Sequence, residues 1–195
     1  MTDDAALLAR EAARRRQARR VLAKLDVLDR WAAVGDVHVC GAMAYRLLVA
    51  RDIDIEIFGP MDIGVGFDVA AQLAQCAGVR KVTYINAIAE EDAGLGWEAV
   101  YIGRDGPWQI QMWLLPVDYP GPRSCDLATV MRARLGTAER CAILRIKEGL
   151  LATDTPYRSI DVYRAALDDG VRTVEEYRRW TVAGSSTGLL SWRPS

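Results

Sequence analysis

The pattern of apolar and polar positions separates a sheet-forming middle of the chain from helical flanks. Val21, Leu22, Leu25, Leu28 and Trp31 recur at helical spacing, so the second half of an N-terminal helix is expected to dock through one face while its first residues fray. Val37 to Cys40 reads as a short strand, Gly41 as a sharp turn, and Ala42 to Val49 as a helix. The DIDIE strand from Asp52 then alternates, with Ile53, Ile55 and Ile57 on one side. Gly59-Pro60 turns the chain, and Phe67 to Cys76 has helical periodicity, with Gly78 as its stop. Val79 to Ile85, Trp97 to Gly103 and Trp108 to Leu115 read as strands of the same sheet, the last two joined by the hairpin signal Arg104-Asp105-Gly106-Pro107. From Asp126 the periodicity is helical, over residues 126–135, 138–152, 160–168 and 174–182, with breaks at Gly136, Pro156 and Gly170. Thr173 and Glu176 have the spacing of a capping box.

This order predicts an α+β fold, a mixed sheet flanked by helices and followed by a C-terminal helical bundle. The expected divisions are a basic amphipathic helix over residues 1–35, an α/β core over 36–120, a helical region over 121–183 and a flexible Gly/Ser-rich tail over 184–195 in which Trp192 can dock.

Composition narrows the classes. In 195 residues, 51% hydrophobic, one domain with a substantial core and a helical extension is expected. Cys40, Cys76, Cys125 and Cys141 are far apart and His38 is the single histidine, so neither a zinc site nor a disulfide framework is indicated. With no secretory h-region and no stretch of membrane-spanning length, a cytoplasmic protein is expected, without membrane partners. The net charge of −1 hides an asymmetry: Arg10, Arg14, Arg15, Arg16, Arg19, Arg20 and Lys24 stand against a single Glu11. Such a stretch can meet RNA phosphate or an acidic partner, or form one solvated helix face.

The chemistry concentrates at Asp52 and Asp54. Strand alternation puts the two carboxylates on one face, where they can hold a pair of Mg²⁺ ions, or Mn²⁺, with Glu56 as a spare. Such ions clamp the attacking and leaving oxygens of a phosphoryl displacement. The helix expected from Ala42 offers the free N–H groups of its first turn to a triphosphate, the Gly41 turn permits close backbone approach, and Arg51 can steer phosphate.

A strand, a glycine turn, a short helix and then Asp52-Ile53-Asp54 on the next strand resemble the nucleotidyltransferase-fold superfamily, of the DNA polymerase β and minimal nucleotidyltransferase type. Its signature is Gly-Ser or Gly-Gly before the helix; Ala42 stands here where Ser is usual. The resemblance implies an active site on the open sheet face, with catalytic, metal-binding Asp52 and Asp54 and with Gly41, Ala42, Arg51 and Gln111 around an NTP such as ATP. It also implies a third carboxylate from an apolar-Asp-apolar triplet, but the matching strand carries Gln111 between Ile110 and Met112, with Gln109 on the same face. Neither amide can accept a proton at neutral pH. Glu56 or Glu98 can compensate; Asp105 and Asp118 lie beyond the strand ends.

Lys147, within AERCAILRIKEGLL, and Asp161 at the start of the next helix resemble the lysine and downstream aspartate of MenT-type and abortive-infection nucleotidyltransferase toxins. That likeness implies a catalytic Lys147 that neutralises triphosphate, oriented by Asp161, with tRNA as acceptor and an antitoxin protein as partner. A solvated Lys147 and an Asp161 at a helix start behind a Ser159 cap remain open. His38 reads as a packed or edge residue, and any of Trp97, Trp108 and Trp113 can stack on a base. Two functions follow. One is transfer of NMP from Mg·NTP to an RNA or tRNA end, a small hydroxylated molecule such as an antibiotic, or a protein side chain, including the role of a toxin in a toxin–antitoxin pair. The other is a catalytically degraded nucleotide- or partner-binding module.

Overall fold

The computed structural model describes residues 2–90, 93–182 and 192–194, and the chain forms two compact units. One comprises Arg16–Met43 and Arg51–Gly121; the other comprises Met1–Arg15, Ala44–Ala50 and Pro122–Ser195.

The first unit is built on a five-stranded sheet of β1 (Asp36–Cys40), β2 (Asp52–Phe58), β3 (Val79–Asn86), β4 (Leu95–Gly103) and β5 (Gly106–Leu115), in the order β1-β2-β5-β4-β3. Strands β2 and β5 run parallel and the remaining pairs antiparallel. Alternation gives the sheet two unlike faces. Ile53, Ile55, Ile57, Ile110, Met112, Leu114, Trp97 and Ala99 are all buried on one, while the other carries Asp52, Asp54, Gln109, Gln111 and Glu98. Each isoleucine contributes roughly 1.5–3 kcal/mol by burial, and a one-residue slip of β2 would exchange them for the carboxylates, so the register is firmly specified.

Helices α2 (Val27–Ala32) and α4 (Ile63–Ala74) belong to the same unit. Trp31 of α2, fully buried, lies 5.5 Å from the Trp97 ring and donates its Nε1–H to Met112 Sδ at 3.0 Å. Asp62 caps α4 by accepting from the backbone N–H of Gly64 and Val65. Gly66 lets this helix approach the sheet, since a Cβ there would stand 2.1 Å from the Trp97 ring. The α1 helix (Thr2–Leu25) supplies residues 16–25 to this unit and residues 2–15 to the other. Asp26, in the left-handed region at φ 53°, separates α1 from α2.

The second unit holds α5 (Ser124–Arg134), α6 (Thr137–Ala152), α7 (Ser159–Leu167) and α8 (Val174–Val182) around a core that includes Leu7, Leu47, Val49, Met131, Ile143, Ile146, Leu150, Val162 and Tyr177. The capping box at α8 forms as its spacing predicts. Thr173 Oγ1 accepts from Glu176 N at 3.2 Å and Glu176 Oε2 accepts from Thr173 N at 3.1 Å. A further N–H donor, Arg172 N at 2.7 Å, is the main reason the Glu176 carboxyl sits below its ordinary pKa. Trp192 docks, donating to Asp168 Oδ2 at 2.7 Å; of the expected tail over residues 184–195, residues 184–191 and 195 lie outside the described residues.

Three sequence expectations are corrected. The helix expected over Ala42 to Val49 is only α3 (Gly41–Tyr45), because Arg46 turns into the left-handed region at φ 60° and Leu47, Leu48 and Val49 are buried in non-helical backbone. The start of α1, expected to fray, is helical from Thr2, with Leu7 buried and Arg145 paired with Asp4. Strand β5 begins at Gly106, so the hairpin loop shrinks to Arg104-Asp105, with Gly103 paired to Gly106.

Candidate active site

Strand register assembles the polar residues of the first unit in rows. Cys40 of β1 pairs with Asp54 of β2, Asp54 with Gln111 of β5, and Gln111 with Glu98 of β4. One step toward the start of β2, Asp52 pairs with Gln109. Asp52 and Asp54 therefore share a face as alternation predicts, both half-buried, with Gln111 directly beside Asp54.

Gly41, the residue after β1, fits around this carboxylate. Its φ is +59°, which glycine adopts without steric cost, and a Cβ at this position would lie 2.0 Å from Asp54 Oδ2 and 2.8 Å from its Cγ. The absent side chain leaves the space that the Asp54 carboxylate occupies. Ala42, buried, follows in α3, a helix of five residues and so too short for the strong N-terminal dipole the longer expected helix offered. Asp52 Oδ1 is buried and has no hydrogen-bond partner among the described residues. A carboxylate oxygen taken out of water without a donor is costly unless a cation or a ligand donor meets it.

The remaining candidates distribute as follows. Glu56 is buried on the same face, registered between His38 and Trp113. Arg51 is exposed, and its guanidinium lies over the β4–β5 turn, with Nη1 3.3 Å from where a Gly106 Cβ would stand. His38 is half-exposed on the edge strand β1, bonded to Asp36 Oδ2 at 2.8 Å with its ring against Phe58. Lys147 and Asp161 belong to the second unit. Lys147 is 2% exposed; its Nζ donates to Leu47 O at 3.2 Å and Tyr163 OH at 3.4 Å and lies 5.4 Å over the Tyr163 ring. It thus satisfies a carbonyl of the segment that leaves helical geometry at Arg46. Asp161, in the first turn of α7, is buried, with Oδ1 unpartnered among the described residues and Oδ2 4.0 Å from Arg158. Its charge, after burial itself, helps push the Tyr177 hydroxyl up to about 12.

Register also identifies residues the spacing alone left undistinguished. Of the three strand tryptophans, Trp97 and Trp108 are buried in the core, whereas Trp113 shares the face of Gln111 and packs over Gly96, 3.1 Å from where a Cβ would stand. Glu98 shares the row of Asp54, but two strand spacings, about 10 Å of backbone, separate them.

The donors fit a hard cation. Among the described residues no group of three or more His, Cys, Asp or Glu forms a metal cluster; two carboxylates leave several positions for water and phosphate oxygens, the coordination Mg²⁺ favours. The unpartnered Asp52 oxygen and the Asp54 carboxylate set against bare Gly41 are the two groups that would hold it.

No family model matches the chain, and no curated protein matches it in sequence. Solved structures do match. A cytoplasmic RNA terminal U-transferase superposes with a TM-score of 0.56 at 12% identity, over 78% of this chain and 47% of that one. Cid1, described by its RNA terminal uridylyl transferase activity, gives 0.57 at 12% identity over 78% and 46%. CdnC of E. coli MS115-1, solved with ATP, gives 0.50 at 15% identity over 90% and 67%. The chain spans about half the length of the first two. These likenesses, at such low identity, concern architecture, and the architecture they establish for this chain is the α+β nucleotidyltransferase fold.

Proposed function

We propose that the protein is a nucleotidyltransferase that moves NMP from Mg·NTP to an acceptor, with Asp52 and Asp54 as the metal-binding, catalytic carboxylates. The observation that carries the reading is the fit of bare Gly41 against Asp54 beside an Asp52 oxygen that is buried and unpartnered. A glycine forced by a carboxylate, in a left-handed turn, is an arrangement a solvated acidic strand does not need. When bound, Mg²⁺ supplies neutralisation of phosphate charge and alignment of the attacking and leaving oxygens. The chain's own contribution is positional: the two carboxylates fix where the charge is gathered, and bare Gly41 leaves the space in which the Asp54 carboxylate stands. Gln111, beside Asp54, offers an amide N–H donor to a phosphate or sugar oxygen and cannot remove the acceptor's proton. Loose phosphoryl transition states depend mainly on positioning and charge neutralisation, so this set is sufficient in kind. Among acceptors, the reading favours an RNA end over a small hydroxylated molecule, because of the basic α1.

The test is incubation with radiolabelled NTPs, Mg²⁺ and pooled RNA or candidate small molecules. Acceptor labelling with pyrophosphate release is expected. Nucleotide binding without release from any NTP would favour the second reading, a degraded module, which the amide at position 111 motivates. Gln111→Asp then separates the two: a module that lost only this group gains activity, whereas an enzyme adapted to the amide changes little.

A further inference from the structure

The basic segment of α1 divides sharply once its partners are known. Arg10 is held by Glu148, with Nη2 to Oε2 at 2.6 Å; Arg14 donates to Leu48 O; Arg15 bonds Glu11 at 3.1 Å. These three belong to the second unit. In the first unit, Arg16, Arg19 and Arg20 are exposed, and no acidic residue occurs between Glu11 and Asp26 to pair with them. Their spacing, i, i+3 and i+4, puts all three on one helix face, while Ala18, Val21, Leu22 and Leu25 are buried on the other. Like charges at such spacing destabilise an isolated helix. A merely solvated face would be expected to interleave acids, which this chain has in plenty, with 26 Asp and Glu against 25 Lys and Arg.

The face continues onto the sheet. Gln17 donates to Asp105 Oδ2 at 2.9 Å at the β4–β5 hairpin tip, and Lys24 lies 5.4 Å over the Tyr101 ring of β4, so α1 runs along that hairpin. Arg104 is exposed beside Asp105, whose carboxylate already accepts from Gln17. Arg51 lies over the same turn at Gly106. Gly106 precedes Gln109, the register partner of Asp52, by three residues, about 10 Å of strand. Tyr101 alternates with Trp97 and Ala99, so α1 lies on the sheet face opposite Asp52, and Arg104 and Arg51 at the hairpin tip lead a basic track around the sheet end to the start of β2.

We propose that Arg16, Arg19 and Arg20, continued by Arg104 and Arg51, form the track that receives the phosphodiester backbone of a single-stranded RNA acceptor; this rests on the nucleotide-transfer reading above and names its substrate class. Charge complementarity selects the occupant. A run of evenly repeated negative charges suits arginines repeated along a helix, and each neutralised phosphate releases counterions.

The experiment is fluorescence anisotropy of a short, unstructured, labelled RNA with the full chain across a salt series. It compares wild type, the triple variant Arg16→Gln, Arg19→Gln, Arg20→Gln, and the control Arg10→Gln, with Mg·NTP binding and pyrophosphate release measured on each protein. Three lost contacts should make the slope of log affinity against log salt shallower by about 2, so between about 50 and 200 mM salt the wild type loses roughly 16-fold more affinity than the triple variant. The control keeps the wild-type slope. An unchanged slope and affinity in a triple variant that still binds Mg·NTP overturns the track. Tighter binding of polyglutamate than of RNA at matched charge also overturns it, in favour of an acidic protein. A wild type that binds RNA through these arginines but releases no pyrophosphate refutes the nucleotide-transfer reading and leaves the track standing.

Discussion

Gly41→Ala separates a functional glycine from an ordinary turn. The added methyl would lie 2.0 Å from Asp54 Oδ2, where ordinary contact begins at 3.4 Å, so the carboxylate must retreat by about 1.4 Å or the turn must open. The left-handed backbone, at φ +59°, adds strain of about 1–2 kcal/mol for a residue with a Cβ. Gly170→Ala isolates that strain, because its φ is +68° and nothing lies within 4 Å of the added Cβ. Together the effects at position 41 should cost about 2–3 kcal/mol, lowering Tm by roughly 4–12 °C and leaving a chain of ordinary stability folded. Function should suffer more. A displacement of about 1 Å in a positioned catalytic group can cost about 100-fold, and Mg·NTP affinity or turnover should fall by that order. The assay is a thermal melt beside titration with a fluorescent NTP analogue in Mg²⁺, on wild type and both variants. A folded Gly41→Ala protein that binds Mg·NTP as Gly170→Ala does would refute the reasoning, because Asp54 would then have no need of the space the glycine leaves.

Two further outcomes follow from the second unit. Lys147→Met keeps the buried stem but removes the donor to Leu47 O and the Tyr163 hydroxyl, for a cost of about 2–4 kcal/mol and a Tm lower by roughly 5–15 °C, read by calorimetry. The role of Lys147 as a catalytic cation, proposed from the sequence, predicts in addition that transfer falls beyond what the lost stability explains. For Tyr177 the folded state holds the phenol proton up to about 12, above the ordinary 10.0, through burial first and Asp161 second. Its contribution is therefore full below pH 10 and lost as pH rises from 10 toward 12, a loss that Tyr177→Phe should remove from the pH dependence of Tm.

Much of the site was legible because it rests on short-range rules. Alternation along β2 fixed the common face of Asp52 and Asp54, and a glycine between a strand and a helix marked the turn beside them. The long-range facts were not. Nothing in the local pattern around Gly41 announces that its Cα faces Asp54 across the β1–β2 pair, since that depends on register. Gln111 beside Asp54 and Glu98 one strand further required the order β1-β2-β5-β4-β3. The helix expected to run to Val49 failed because tertiary packing outweighs propensity: Leu47 and Val49 are drawn into a core in non-helical backbone and Lys147 satisfies the freed Leu47 carbonyl. The arginines of α1 read as one basic stretch, and only their partners divided the held Arg10, Arg14 and Arg15 from the exposed Arg16, Arg19 and Arg20.

The central claim is that Asp52 and Asp54 together hold Mg·NTP, and calorimetric titration of nucleotide with and without Mg²⁺ on wild type, Asp52→Asn and Asp54→Asn tests it most directly. Each substitution keeps the shape and removes one formal negative charge, so the account predicts Mg²⁺-dependent binding in wild type that falls at least tenfold in either variant, with Tm little changed. Nucleotide affinity equal in all three proteins, or indifferent to Mg²⁺, would contradict it.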